Sequence, residues 1–372
     1  MERTEAVIDL AAIRENVAAM KAGTPAEVMA VVKADGYGHG LLPSARAALA
    51  GGATWLGTAI VGEAVALREA GIDARLLAWL WTPDEVETVA RAVAADVDLS
   101  VSSTWQLDAV LAAAQAAGSA ARIHLKIDTG LSRNGAYVDD WPELVTAAAK
   151  AQAAAEVEVV GIWSHFAYAD EPGHPTIAKQ VMAFEAALDA AARLGVVPQL
   201  RHIANSAATL TLPSAHFDLV RPGIAVYGLP PVPGSYGLTP AMTLHAGAAS
   251  VKRVRAGEGV SYGHEYTTTR DTTLVLVPLG YADGVPRHAG NRGPVSIGGR
   301  RFTVDGRVCM DQFVVDVGDL DVAPGDPVVL FGSGRDGGPT AQDWADAAGT
   351  IHYEIVTRIG PRVRRSYTGS DA

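Results

Sequence analysis

Cysteine is almost absent from this sequence. Cys309 is the single cysteine among 372 residues, which excludes an intrachain disulfide. The opening segment MERTEAVIDL contains acidic side chains where a secretory signal would need an unbroken apolar stretch. We therefore expect a reducing, cytoplasmic location for the chain.

Basic clusters and long apolar runs are also lacking. Lys and Arg number 30 against 41 Asp and Glu, so the net charge of −11 gives no electrostatic footprint for nucleic acid. No apolar run approaches the roughly 20 residues that a membrane helix needs. Because 49% hydrophobic and 19% charged residues are typical of globular proteins, we expect a folded chain with a small-molecule partner.

Short β-branched runs alternate with Ala-rich amphipathic segments over the first 230 or so residues, a pattern that favours βα units around a parallel sheet. The strand-like runs are VMAVVKA, ATWLGTA, ARLLAWL, VDLSV, ARIHLKI, VEVVGIW, QLRHIA and FDLVRPG. About eight such strands is the number that a (β/α)₈ TIM barrel requires, so an α/β barrel is predicted. An open doubly wound sheet is the alternative.

The pattern of the sequence changes after a Pro- and Gly-rich stretch near residue 236. Short strand-like runs separated by turn dipeptides follow: LHAGAASVKRV, TLVLVPLGYA, GPVSIGGRRFTV, QFVVDV and DPVVLFG. We therefore predict a barrel over residues 11–235 and a mostly β domain over residues 236–372. Residues 1–10 contain a further strand, TEAVIDL, which we expect to pack with the C-terminal domain.

Lys33 lies in the segment AVVKADGYGHG, where an apolar strand ends and a Gly-rich turn begins. Two interpretations are open. The lysine could extend from the barrel mouth into solvent. Alternatively, a desolvated amine with a lowered pKa could form a Schiff base with a carbonyl cofactor such as pyridoxal 5′-phosphate (PLP), whose phosphate Tyr37 could then bind.

AVVKADGYGHG resembles the PLP-lysine signature of the alanine racemase family, and the resemblance continues along nearly the whole chain. These are fold-type III PLP enzymes with an N-terminal barrel and a C-terminal β domain. The resemblance implies an isomerase that interconverts L-alanine and D-alanine, supplying D-alanine for peptidoglycan, with PLP as cofactor and no metal.

Three further segments resemble cofactor-facing parts of that family. HLKIDTGLSRNG implies a lysine, often carbamylated, at Lys126 and a substrate-carboxylate arginine at Arg133. WSHFAYAD implies that His165 lies against the pyridine ring, although a lone strand histidine is more often structural. RHIANSAA implies phosphate contacts from Asn205 and Ser206, whose residue types also suit a plain helix N-cap.

LVRPGIAVYG resembles the segment in which an arginine points at the pyridine nitrogen. The resemblance gives that role to Arg221, and phosphate binding to the backbone around Gly223 and Ile224. A protonated arginine would keep the pyridine nitrogen unprotonated and so weaken the electron sink. Such an arrangement suits a racemase better than an aminotransferase or a decarboxylase.

The second domain contains the remaining family segments. GVSYGHEY implies that Tyr262 is the base on the opposite face of the substrate. LGYADG implies an entrance role for Tyr281, and GRVCMDQ implies a Met310 backbone amide that binds carboxylate with Asp311 beside it. IHYEIVTRIGPRV implies that Tyr353 reaches the phosphate, where an aromatic core residue is the alternative.

Two bases are needed because one base on one side would return the proton to the face it came from. The resemblance assigns D-alanine to Lys33 and L-alanine to Tyr262. A phenol has an ordinary pKa near ~10, so the resemblance also implies a relay through His165 and Arg221 that assists the tyrosine. It further implies a homodimer whose active sites are shared between subunits.

Other functions stay open from the sequence. A racemase for another or a broader set of amino acids, such as serine, would need no change in a catalytic residue. A fold-type III decarboxylase for basic amino acids resembles the domains, but it lacks the SYG and CMDQ pair. A PLP-homeostasis protein resembles only the barrel half, and this chain has about 140 further residues, which is a normal domain size.

Overall fold

The computed structural model describes residues 3–369; residues 1–2 and 370–372, at the outer ends of the predicted domains, lie outside the described residues. The chain divides into two compact units. One unit takes in the described residues up to Ala12, Tyr37–Gly40 and those from Thr239 onward, and the other takes in Ile13–Gly36 and Leu41–Leu238.

Eight parallel strands form the sheet of the unit made of Ile13–Gly36 and Leu41–Leu238, which we name the barrel unit. Strand β1 (Thr4–Asp9) belongs to the other unit. The barrel strands are β2 (Glu27–Val31), β3 (Trp55–Ile60), β4 (Arg75–Leu80), β5 (Asp98–Val101), β6 (Ala121–Lys126), β7 (Val157–Trp163), β8 (Leu200–His202) and β9 (Leu219–Val220). Their order is β8-β7-β6-β5-β4-β3-β2-β9, and every pairing is parallel.

Backbone bonds close this sheet. The Asp218 amide donates to the Arg201 carbonyl (3.1 Å) and the Arg221 amide donates to the Ala204 carbonyl (3.0 Å), which joins the β9 segment to the β8 segment. The predicted eight-stranded barrel is therefore confirmed, and the open-sheet alternative is wrong. All eight predicted strands are present.

The barrel strands are mostly apolar on both faces, which is typical of a parallel sheet whose two faces are both buried. Met29, Trp55, Leu77, Val160 and Leu219, from five different strands, pack into one buried cluster. The helices of the described chain are α1 (Leu10–Ala22), α2 (Leu41–Ala50), α3 (Val61–Glu69), α4 (Val86–Ala94), α5 (Thr104–Ala117), α6 (Trp141–Ala153), α7 (Pro175–Arg193), α8 (Ser206–Thr211), α9 (Ala341–Ala348) and α10 (His352–Thr357).

The other unit is built mainly of strands, as predicted. Besides β1 they are β10 (Met242–Gly247), β11 (Ser250–Val254), β12 (Gly259–Val260), β13 (Tyr266–Thr267), β14 (Thr272–Val277), β15 (Pro294–Ile297), β16 (Arg300–Asp305), β17 (Phe313–Gly318), β18 (Pro327–Phe331) and β19 (Arg364–Thr368). Nine of them form one sheet in the order β11-β14-β17-β16-β15-β18-β10-β1-β19. Strand β1 pairs antiparallel with β10 and parallel with β19.

Within the described residues, none of the helices combines the length and the apolar character that crossing a bilayer requires.

Candidate active site

Lys33 lies at the carboxyl end of the barrel, two residues beyond the last residue of β2, Val31, so the strand is slightly shorter than predicted. The three residues after it, Ala34, Asp35 and Gly36, have φ values of 55°, 53° and 61°. Left-handed backbone at two non-glycine residues stores strain, which persists only where surrounding contacts impose it. Here the Glu63 carboxylate accepts from the Asp35 amide at 3.1 Å.

Burial lowers the pKa of the Lys33 amine, and the positive charge of Arg133 lowers it further, while Glu63 acts in the opposite direction. The Lys33 Nζ also lies 5.9 Å from the centroid of the Trp79 ring. A lysine with a lowered pKa has a larger neutral fraction near pH 7, and the neutral amine is the nucleophilic form. The local environment therefore favours the cofactor interpretation over the solvent-extended one.

Lys126 is the last residue of β6 and is 4% exposed. Burial, followed by the charges of Arg221 and Arg133, lowers its pKa to about 7. Its Nζ lies 4.3 Å from the centroid of the Trp163 ring. This buried amine therefore has a much larger neutral fraction near pH 7 than an ordinary lysine.

The loop that holds Arg133 is organised by Asp128. One oxygen of this carboxylate, Oδ1, accepts from the amides of Gly130 (2.8 Å), Leu131 (3.0 Å) and Ser132 (3.2 Å). The loop then returns to the sheet, because the Ala136 amide donates to the Lys126 carbonyl at 2.8 Å. Arg133 itself is exposed at the surface of this unit. Its charge nevertheless acts on both lysines, which places it near them.

Arg221 follows β9 and is buried, with 4% exposure. Its Nη2 donates to the Ser164 carbonyl at 2.7 Å and lies 3.3 Å from His165 Nδ1, while Nη1 lies 3.0 Å from His202 Nδ1. Burial lowers the pKa of Arg221 to about 9, so the guanidinium is still protonated at pH 7. Burial and the charge of Arg221 hold the pKa of His165 well below its usual range.

Asn205 and Ser206 use their side chains inside the barrel unit. The Asn205 Oδ1 accepts from the Ala208 amide at 3.1 Å, which is the N-cap contact of α8. Ser206 Oγ accepts from the Gly223 amide at 2.7 Å and from the Ala225 amide at 3.3 Å. These bonds hold the start of α8 against the turn that begins at Ile224. The phosphate contacts suggested for these residues stay predictions.

Three segments of the other unit are held together around Tyr262, Tyr281 and Met310. The Tyr281 amide donates to the Cys309 carbonyl at 3.0 Å. Ser261 Oγ donates to the Arg307 carbonyl at 2.8 Å and lies 3.3 Å from Cys309 Sγ. Tyr262, Tyr281 and Met310 are 71%, 41% and 53% exposed. We name these side chains the tyrosine face.

Glycine at position 280 allows this close approach. A Cβ there would lie 2.3 Å from the Met310 carbonyl oxygen, which is shorter than real contacts. Ser261, by contrast, adopts φ 61° without being glycine. Beside the tyrosine face, the Asp311 carboxylate accepts from Arg362 Nη2 at 2.8 Å. The face is thus held by backbone approach and by short polar contacts rather than by side-chain burial.

Tyr37 and Tyr353 also lie in this unit, with ring centroids 6.4 Å apart. Tyr37 is buried, and burial followed by the neighbouring Tyr353 raises its pKa. Tyr353 lies on α10 and is half-buried. A phenol whose pKa is raised stays protonated at neutral pH and can donate a hydrogen bond to an anion.

The sequence interpretation missed several polar and aromatic residues of the barrel. Trp163 contacts both Lys126 and Arg221, whose Cζ lies 4.7 Å from the ring centroid. His202, His124 and Asp98 are fully buried and hydrogen-bonded to one another in series. A signal was available, because buried strands in an apolar barrel seldom carry histidine and aspartate.

Comparison with known proteins identifies the family. The model "Alanine racemase, N-terminal domain" matches residues 8–231, and "Alanine racemase, C-terminal domain" matches residues 241–367. A curated alanine racemase of Salinispora arenicola is 62% identical over 371 residues, covering 99% of both chains.

Solved structures agree with these matches. The crystal structure of alanine racemase from D-cycloserine-producing Streptomyces lavendulae has a TM-score of 0.97 at 56% identity, covering 100% of this chain and 98% of that one. Alanine racemase from E. faecalis has a TM-score of 0.90 at 36% identity, covering 99% and 98%. The matches do not favour the decarboxylase or the broader racemase. The chain belongs to the alanine racemase family, whose members are PLP-dependent isomerases.

Proposed function

We propose that this enzyme interconverts L-alanine and D-alanine with PLP held by Lys33, and that Lys33 and Tyr262 are the two bases. The observation that carries the proposal is the position of Lys33: half-buried at the carboxyl end of the barrel, with a lowered pKa. Active sites of TIM barrels are built at this end. The product D-alanine serves peptidoglycan synthesis in this family.

The charges of the barrel mouth fit PLP and an amino acid. Four basic side chains share a small region, because they act on one another or on His165 electrostatically: Lys33, Lys126, Arg133 and Arg221. The phosphate of PLP and the carboxylate of alanine both carry negative charge, which such a region stabilises. The residues present therefore fit the cofactor.

Bound PLP withdraws electrons from the substrate α-carbon and so makes its proton acidic. Arg221 would lie at the pyridine nitrogen. Its pKa of about 9 keeps the guanidinium charged at pH 7, so it cannot give that nitrogen a proton readily. This restraint favours return of the proton to the α-carbon over side reactions, which is the property that a racemase needs.

Lys33 Nζ would take the α-proton of D-alanine and return a proton to that face. Tyr262 Oη would serve the opposite face, for L-alanine. The contact between Arg221 and His165 at 3.3 Å supports a relay from the tyrosine through His165 to Arg221. His165 has its pKa held well below the usual range, so it enters the relay as a neutral ring that accepts from Arg221.

Arg133 would bind the substrate carboxylate, together with the Met310 amide. A carbamate on Lys126 would orient the Arg133 guanidinium, since carboxylate-like groups and guanidinium form two parallel hydrogen bonds. Carbon dioxide adds only to a neutral amine, and the pKa of about 7 at Lys126 supplies that form. Asp311 and Tyr281 would line the approach to this pocket.

The phosphate would be bound by hydroxyl, side-chain amide and backbone N–H donors. Hydroxyl, amide and backbone N–H donors of this kind are the usual partners of phosphate. The proposed set is Tyr37, Asn205, Ser206, Gly223, Ile224 and Tyr353. For Ser206, the hydroxyl oxygen already accepts from two amides, which leaves its proton to donate to an acceptor such as the phosphate.

We further propose that the enzyme is a cytoplasmic homodimer in which the tyrosine face of one subunit completes the barrel site of its partner. Tyr262, at 71% exposed, is too solvated as it stands to act as a selective base, because catalysis of this kind needs a water-poor site. A covering surface is therefore required, and a second copy of the chain supplies one.

The test of this proposal uses two variants and D₂O. Lys33→Ala with added PLP should lose both the absorbance band of the lysine-bound cofactor and racemisation. Tyr262→Phe should keep the band but lose about 10²–10⁴-fold in racemisation, the usual contribution of a general base. Its remaining α-proton exchange should come preferentially from D-alanine.

Tyr266→Phe is the matched control, because this neighbour donates to Asp316 (2.7 Å) within its own unit. It should racemise alanine at close to the parental rate. A normal absorbance band and full turnover in Lys33→Ala, or unchanged turnover of both enantiomers in Tyr262→Phe, would refute the assignment.

A further inference from the structure

A chain of buried polar side chains runs through the interior of the barrel. It begins at Asp98, the first residue of β5, and continues through His124 on β6 to His202 at the end of β8. His124 Nε2 lies 3.1 Å from Asp98 Oδ2, and His124 Nδ1 lies 2.9 Å from His202 Nε2. His202 Nδ1 lies 3.0 Å from Arg221 Nη1. Asp98, His124 and His202 are each 0% exposed.

The direction of every hydrogen bond in this chain follows from Arg221. A guanidinium has donors only, so His202 Nδ1 must accept. Burial and the charge of Arg221 hold the pKa of His202 well below its usual range, so the ring is neutral and its proton is on Nε2. His124 Nδ1 must then accept from His202, which leaves the His124 proton on Nε2, directed at the Asp98 carboxylate.

The far end of the chain is anchored by a second arginine. Arg122 Nε donates to the other oxygen of the same carboxylate, Asp98 Oδ1, at 2.9 Å. Arg122 Nη1 also donates to Glu158 at 2.6 Å. The Asp98 carboxylate thus accepts hydrogen bonds from Arg122 on one side and from His124 on the other. The guanidinium groups of Arg221 and Arg122, one at each end, therefore fix a single donor-to-acceptor direction for the hydrogen bonds between them.

The surrounding residues hold the rings in orientation. The His202 ring stacks on Trp163 with centroids 5.6 Å apart and an angle of 7°. Trp55 meets His124 edge to face at 5.5 Å. A Cβ at Gly161 would lie 2.3 Å from His124 Nδ1, so glycine is needed there to admit the ring. Little rotation of either imidazole is available in this packing.

We infer that Asp98 and His124 are positioning residues for catalysis: through His202 they keep an acceptor facing Arg221 and so hold that guanidinium where the cofactor ring binds. The inference rests on the proposed function, because it takes Arg221 to face the pyridine nitrogen. It extends the functional residues to the opposite end of the barrel from Lys33. The alternative is a network that serves folding alone.

Asp98→Asn discriminates between these roles because it reverses the direction of the hydrogen bonds that run from Asp98 through His124 to His202. Arg122 Nε donates, so the carboxamide oxygen of the substituted side chain would face Arg122 and its NH₂ group would face His124. His124 would then accept at Nε2 and carry its proton on Nδ1, and His202 would carry its proton on Nδ1, facing Arg221. Each ring keeps one proton, yet two donors now oppose each other at Arg221, which must move.

The direct readout is the tautomer of each histidine, measured by ¹⁵N NMR on holoenzyme labelled at histidine. In the parent, His124 and His202 should both be protonated at Nε2 and unprotonated at Nδ1. In Asp98→Asn both should switch to Nδ1. The measurement on the parent alone refutes the inference if His202 carries its proton on Nδ1. The inference can therefore be tested even if the Asp98→Asn variant does not fold.

Kinetics supply the second readout. In folded Asp98→Asn we expect kcat to fall about 10- to 100-fold, the range for outer partners that orient a functional group, with KM changed by less than about twofold. The pH profile of the cofactor absorbance band should also shift. Glu158→Gln is the matched control, since it removes the other carboxylate that Arg122 contacts and leaves the hydrogen bonds from Asp98 to Arg221 unchanged. It should match the parent in tautomer, kcat and absorbance profile.

A tautomer switch in Asp98→Asn without change in kcat or in the absorbance profile would overturn the positioning role. Failure of this inference is distinguishable from failure of the proposed function. Lys33→Ala and Tyr262→Phe report on the two bases irrespective of the state of Asp98. If those variants lose racemisation while Asp98→Asn does not, only the positioning role is wrong.

Discussion

The barrel mouth and the tyrosine face differ in how they hold their functional groups. At the barrel mouth, Lys126 and Arg221 are each 4% exposed, and burial shifts the pKa of both. On the tyrosine face, Tyr262 is 71% exposed and is held by the backbone contacts of its neighbours. At the barrel mouth, burial within one chain already shifts the pKa of the basic side chains. On the tyrosine face, Tyr262 is held in place but is not buried by the described residues of its own chain.

This difference is the reason for proposing that a partner subunit covers Tyr262. Desolvation is the first cause of the lowered pKa at Lys33, Lys126, His165 and Arg221. No comparable burial acts on the side chain of Tyr262 within the described chain. If a partner subunit supplies that burial, the two regions become equivalent in the assembled site.

The largest expected effect is recovery of activity on mixing two inactive variants. Lys33→Ala and Tyr262→Phe homodimers should each lose nearly all racemisation. After subunit exchange at equal amounts, half of the dimers are mixed, and each mixed dimer has one complete site of two if the sites are shared. Activity should return to about a quarter of the parental value.

The control for this experiment is a mixture of Lys33→Ala with a Lys33→Ala, Tyr262→Phe double variant, which contains no complete site in any arrangement. It should stay inactive. No recovery in the first mixture, with subunit exchange verified by mass, would mean that Lys33 and Tyr262 of the same chain form the site.

A smaller effect is expected from Gly280→Ala. The added methyl would lie 2.3 Å from the Met310 carbonyl oxygen and would force the tyrosine face apart, at about 1–3 kcal/mol of overpacking. We expect kcat to fall by about tenfold or more, while the absorbance band of the lysine-bound cofactor is retained. Gly247→Ala is the matched control, because its nearest contact is an ordinary 3.6 Å. Equal kcat for both variants would contradict the prediction.

The smallest effect concerns the pH dependence of Lys126. Its pKa is lowered to about 7, so the amine is mainly protonated below that pH and mainly neutral above it. Carbamylation should therefore rise as the pH passes upward through about 7, and substrate KM should fall a few-fold in parallel. Carbamate is measured by ¹³C NMR with labelled bicarbonate, and Lys126→Ala gives the background. A signal independent of pH would refute this account.

Much of the fold could be predicted from the sequence because it depends on local patterns. The apolar runs that form β2 to β9 and the turn-bounded runs of the second unit are all present. The region of Lys33 differs slightly, since the strand is expected to end on Lys33 and β2 ends two residues earlier, at Val31. The left-handed residues Ala34 and Asp35 explain this, because nothing in their side chains predicts positive φ.

Roles that depend on remote contacts could not be predicted in the same way. Asn205 has the residue type of both an N-cap and a phosphate ligand, and the structure provides the N-cap contact to Ala208. The phosphate role stays a prediction. The domain boundaries at residues 10 and 235 and the assigned site roles also stay predictions.

Local sequence patterns were enough to predict the alternation of strands and helices, the second β unit and the candidate Lys33, and the resemblance of one short segment to a family motif added Tyr262. These depend on residue types within a few positions of one another. The hydrogen-bonded series of Asp98, His124, His202 and Arg221, and its single direction, could be found only in the folded barrel. His124 and His202 are 78 positions apart, and a hydrogen bond between them exists only once the barrel closes and excludes water.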